Sequence, residues 1–123
     1  MADVTFKRFE ELDSYQGQFL YAGRGLGVKS FGMNLLRLAP NWADYPEHNH
    51  AKEGQEEVYV VLQGSARLTA GEGSWELLPG TVVRVGAAQK RKIIPGAAGV
   101  TILALGGTPG KAYEPPVWKK SGA

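Results

Sequence analysis

Val58 to Gly107 reads VYVVLQGSARLTAGEGSWELLPGTVVRVGAAQKRKIIPGAAGVTILALGG. Short runs rich in β-branched and aromatic residues (VYVVLQ, ARLTA, WELL, TVVRV, KII, VTILAL) alternate there with Gly64, Gly71, Gly73, Gly80, Gly86, Gly96, Gly99 and the pair Gly106–Gly107. Runs of this length, cut by residues that accept tight turns, are the pattern of a meander of short strands. Glycine makes up 17 of the 123 residues, roughly twice its usual share. No window of helical length carries apolar residues at helical spacing. Phe6 to Leu12 allows one turn at most, and Gly23-Arg-Gly25-Leu-Gly27 reads as a turn with no helix after it to hold a phosphate. The expectation is an all-β chain, whose many short strands protect their edges by closing into a small barrel or sandwich.

Working outward, 123 residues make one ordinary domain, and no repeat, linker or composition break divides them. With 43% hydrophobic residues the chain can bury a core. Fourteen Lys and Arg against 12 Asp and Glu leave a net charge of +2, too near neutral to make nucleic acid or an anionic membrane the expected partner. There is no cysteine, which removes disulfides, thiolate zinc sites, iron–sulfur clusters and cysteine nucleophiles together. The opening MADVTFKRFE is charged and has no apolar run before a small-residue cleavage site, and no apolar run is long enough to span a bilayer. A cytoplasmic protein is expected.

The two histidines of the chain are His48 and His50, an arrangement that chance gives in about 2% of placements. On an extended segment, residues two apart point to the same side. Two imidazoles on one side can then share a metal ion. A firm site needs a third ligand, and the stretch that follows offers Glu53, Gln55, Glu56 and Glu57. Glu57 opens the strand VYVVLQ and shares a face with Tyr59 and Val61; if that face is interior, a carboxylate there is costly without a cation beside it. The alternative is a solvated His-x-His in a polar loop, next to an exposed Glu57 at a strand start.

The run His48-Asn-His50, then Glu57, then Gly64 seven positions later, resembles the first motif of the cupins. Gly73-Ser-Trp-Glu-Leu-Leu-Pro79-Gly80-Thr-Val-Val-Arg-Val85 resembles the start of their second motif, with five residues between glycine and proline. The resemblance covers roughly residues 31–106. It implies a double-stranded β-helix, a jelly-roll barrel of six to eight strands with an open mouth, in a single domain over 1–123 with a tail from 108. Two departures stand out. The interval from His50 to Glu57 is two or three residues longer than usual, which leaves Gln55 and Glu56 as rivals to Glu57. Where the second motif ends in a histidine, the fourth ligand, this chain has Arg91, which has no lone pair to offer.

The resemblance therefore implies a two-histidine, one-carboxylate site (His48, His50, Glu57) with open positions for a divalent iron, manganese, nickel or zinc ion. It implies a small, anionic organic ligand and oxygenase or isomerase chemistry. Arg91, Tyr59 and Met33 are the expected ligand-contacting residues, and Tyr59 is the candidate acid or base if it faces inward. Arg91 has three roles open to it: anchoring an anion, pairing with Glu57, or pointing to solvent beside Lys90 and Lys92. The competing reading is a non-catalytic ligand-binding module with a degenerate, metal-free site. A homodimer is expected, with the proline-stiffened tail Tyr113-Glu-Pro-Pro-Val-Trp118 either exchanged between partners or lying over its own barrel.

Overall fold

The computed structural model describes residues 2–42 and 45–114. A 3-10 turn at Phe9–Glu11 leads into a small hairpin, β1 (Ser14–Tyr15) and β2 (Phe19–Leu20). Then follow α1 (Ala22–Leu26), β3 (Gly32–Leu38), β4 (Glu56–Ala70), β5 (Gly73–Leu77), β6 (Val82–Val85) and β7 (Arg91–Gly107). The strands form one antiparallel sheet in the order β1-β2-β3-β7-β4-β5, with β6 paired to the free half of β4. The all-β expectation holds. The stretch read as a turn, Gly23 to Gly27, is instead a single α-helical turn that ends where Gly27 enters the left-handed region at φ 76°. Among the described residues no helix is long and apolar enough to cross a membrane.

Two long strands carry the architecture. β4 and β7 pair from Glu56↔Gly107 to Ala70↔Arg91. The ladder passes directly from Gly64↔Val100 to Ala66↔Pro95, so Gly96 to Gly99 stand opposite Ser65 alone. Extra residues on one strand bend a sheet sharply, and here they make a corner. Before it, the first half of β4 pairs with β6 and with the end of β7, which in turn pairs with β3. After it, the second half of β4 lies between β5 and the start of β7. The corner depends on Gly64: its φ is 73°, and a Cβ there would lie 2.1 Å from the Gly99 carbonyl oxygen.

The concave side holds the core: Leu36 and Leu38 of β3, Tyr59, Val61, Ala66 and Leu68 of β4, and Ile93, Val100, Ile102 and Ala104 of β7, closed by Leu77 and Val85. Period-two alternation sets which neighbours share this side. The register Asn34↔Ala104↔Tyr59 puts Asn34 on the interior face. Met33, expected on the ligand wall, therefore points the other way and packs against Gly23 of α1. Leu35 is buried on that outer face too, the face on which α1 meets β3.

The corner makes a direct test. Gly64→Ala combines a left-handed backbone with an impossible contact and should lower the unfolding free energy by about 3 kcal/mol or more. Gly80→Ala, at φ 87° with open space around the new Cβ, should lose only about 1–2 kcal/mol. Urea denaturation of both variants measures the difference, and equal losses would show that the corner relaxes.

Candidate metal centre

The histidine segment runs beside the start of β7. His48 and Arg91 exchange backbone hydrogen bonds in both directions at 2.9 Å, and the His50 amide donates to the Ala87 carbonyl at 2.8 Å. A turn through Gly54 then delivers the chain to β4. The imidazoles of His48 and His50 lie edge-on, ring centres 5.1 Å apart. Glu57, in phase with the inward Tyr59 and Val61, meets them. Its Oε1 is 3.6 Å from His48 Nε2 and 3.4 Å from His50 Nε2. One ligand atom from each residue lies within 4.8 Å of the other two.

Both rings are oriented from behind. His48 Nδ1 is 3.1 Å from the Pro46 carbonyl, and His50 Nδ1 contacts the Glu53 carboxylate. A carbonyl or carboxylate can only accept, so each Nδ1 carries the proton and each Nε2 presents its lone pair. This is how metal-binding histidines are normally held. His50 Nε2 is buried and has no hydrogen-bond partner. Two imidazole lone pairs and a carboxylate thus converge, which suits a cation or a shared proton. Burial alone would raise the pKa of Glu57, but His48, His50 and Tyr59 around it hold it well below the carboxylate range. His50 is raised, chiefly by Glu57, against the opposing effect of burial.

Arg91 stands where a fourth ligand is expected and is 0% exposed. Its Nη2 donates to Glu57 Oε1 at 2.9 Å, Nε to Tyr59 Oη at 3.3 Å, and Nη1 to the carbonyls of Gln89 at 2.6 Å and Gly86 at 3.4 Å. Of its three possible roles, pairing with Glu57 is the one observed. It does not point to solvent, and its fork is not free to anchor an anion. Tyr59 is also 0% exposed and donates to Glu57 at 2.7 Å. Burial pushes its phenol pKa far up, with Glu57 adding to the effect. It faces inward, the condition set for its candidacy as acid or base, and it is held as a donor that orients Glu57.

The rivals separate by phase. Glu56 points outward and pairs with Arg84, so it is no ligand. Gln55 lies on the Glu57 side, but its side chain rests against Gly106. Glu53, offered as a third ligand, instead braces His50 from behind, and sequence reasoning missed Tyr45, which is buried with its ring edge-on to His48 at 5.7 Å. Neither sits on a regular period that would reveal it. Of the tail, only the part up to Glu114 is described, and Tyr113 lies against Gly32 of the same barrel. The expected exchange of Pro115 to Trp118 lies outside the described residues.

A cupin protein from Bacteroides fragilis superposes on this structure with a TM-score of 0.67, over 90% of this chain and 93% of its own, at 21% identity. This chain has the cupin fold. The cupin domain of Schizosaccharomyces pombe Cnp3 matches at a TM-score of 0.64 over 82% of this chain and 67% of its own, at 16% identity. A sugar phosphate isomerase of the cupin superfamily from Silicibacter pomeroyi matches at 0.63 and 26% identity, over 72% of this chain. This chain spans 57% of that protein's length. No protein-family model matches the sequence, and no curated protein matches it.

Within this cupin barrel the buried pair can be tested directly. Arg91→Met should cost about 3–5 kcal/mol of stability, because it strands the Glu57 charge. Adding Glu57→Gln should recover a large part of the loss, since the stranded charge is then gone. Thermal or urea unfolding of the two single variants and the double variant reads the coupling. Strict additivity would mean the pair contributes nothing.

Proposed function

We propose that this chain is a metal-dependent cupin that holds one divalent ion through His48, His50 and Glu57 and acts on a small, oxygen-bearing organic molecule in the barrel mouth. The observation that carries this reading is the convergence of three acceptor atoms around a buried, unpartnered His50 Nε2. An imidazole and carboxylate set without sulfur fits iron, manganese, nickel or zinc and leaves positions open. When bound, such an ion supplies Lewis acidity toward a carbonyl or hydroxyl oxygen. The chain's own part is preorganisation. Pro46 and Glu53 fix the imidazole tautomers, while Tyr59 and Arg91 fix the carboxylate. The likeness to a sugar phosphate isomerase supports isomerisation over oxygenation as the reaction type.

Arg91 favours a second reading. A guanidinium already on Glu57 opposes a second cation beside it, and a metal-free binding module would keep that pair. Titration calorimetry with Mn2+ and Zn2+ separates the two. The metal-dependent reading expects about one ion per wild-type chain and none for His48→Ala/His50→Ala. The metal-free reading expects no binding to wild type, with binding gained in Arg91→His, where a nitrogen ligand replaces the competing charge. Metal uptake unchanged by the double substitution would sink the site.

A further inference from the structure

The three acceptors bring little net charge to the centre. With each proton on Nδ1, the imidazoles of His48 and His50 are neutral, and the charge of Glu57 is matched by Arg91 Nη2, 2.9 Å from its Oε1. A dication gains far less from such a neutral set than from an unpaired carboxylate. Glu56 adds nothing, since it points outward to Arg84. Among the described residues, the one other carboxylate that pairs with any of these four side chains is that of Glu53. It meets His50 Nδ1, while His50 Nε2 faces Glu57 at 3.4 Å, so the ring stands between the two carboxylates. The loop that carries Glu53 is the lengthened interval between His50 and Glu57, and it is tied at two points. The Gly54 amide donates to the His50 carbonyl at 2.8 Å, and the Thr108 hydroxyl donates to the Glu53 carbonyl at 3.1 Å. The Glu53 side chain is 51% exposed, so it keeps its charge at little cost in desolvation.

We propose that Glu53 is a positioning residue that supplies, through His50, the negative charge that Arg91 withdraws from Glu57, and that the affinity of the centre for a divalent ion depends on that charge. This rests on the proposed reading of His48, His50 and Glu57 as metal ligands and deepens it. A carboxylate on the far nitrogen holds the ring by its proton and strengthens the lone pair at Nε2. It also turns a neutral set into one of charge −1 without occupying a ligand position. Fixing the tautomer alone needs only a carbonyl, as the Pro46 oxygen shows at His48. What the carboxylate adds at His50 is charge.

Zinc affinity, read by competition with a chromogenic chelator, is compared in wild type, Glu53→Gln, Glu53→Asp and Glu53→Ala, with urea unfolding to confirm that each variant folds. Glu53→Gln keeps an acceptor oxygen and loses the charge, whereas Glu53→Asp keeps the charge on a shorter stem. The expected result is affinity weakened about tenfold or more in Glu53→Gln and Glu53→Ala, and within about threefold of wild type in Glu53→Asp. The Co2+ absorption bands should be the same in wild type and Glu53→Gln, because the ligands are unchanged. In the zinc-free proteins, 15N NMR should find the His50 proton on Nδ1 in wild type and in Glu53→Gln, and no longer confined there in Glu53→Ala. Equal zinc affinity in wild type and Glu53→Gln overturns the inference and leaves the three-ligand site standing. Altered Co2+ bands in Glu53→Gln would make Glu53 a ligand and overturn it as well. If wild type takes no zinc, the proposed function falls and this inference falls with it.

Discussion

A carboxylate inside a β-barrel is a liability, and the way Glu57 is accommodated organises much of what surrounds it. Its cost is met by Arg91, whose own charge is met in turn by the Gln89 and Gly86 carbonyls and the Tyr59 hydroxyl. Arg91 also holds His48 through its backbone. One residue therefore fixes the start of β7, the histidine segment and the orientation of the carboxylate. A buried ion pair adds little net stability compared with well-packed hydrocarbon. Its retention makes most sense as a device for holding charge in one place.

The strands of the second half could be read from the sequence because glycine and β-branched runs alternate there almost without interruption. Of the candidate metal-binding residues, His48 and His50 stood out by their spacing, whereas Glu57 was set above Gln55 and Glu56 by motif resemblance and by its phase with Tyr59 and Val61. Met33 went wrong for an instructive reason. In Gly32–Leu38 the outer face meets α1, Leu35 and Leu36 are both buried, and apolar alternation no longer marks the inside. The burial of Arg91 was open for a different reason: charged residues are mostly exposed, and only tertiary partners decide otherwise. Glu53 and Tyr45 reach the site from loops, where no period applies.

Fold and chemistry remain separate claims. Jelly-roll and barrel scaffolds carry many unrelated activities. Here the scaffold supplies the interior face, while the ligand set and the cation behind it are local choices of residue. The replacement of an expected imidazole by a guanidinium changes the charge of the centre without changing the barrel around it.

The corner at Gly64 and Gly99 also bears on how the chain reaches this state. β4 and β7 each serve both halves of the barrel, so neither half can close until residues as remote as Glu56 and Gly107 have met. Local pairing, as in β4 with β5, can form early, but it leaves the interior open. Assembly dominated by such distant meetings is slow, on the order of milliseconds to seconds. Because the two halves share continuous strands, they gain and lose their order together.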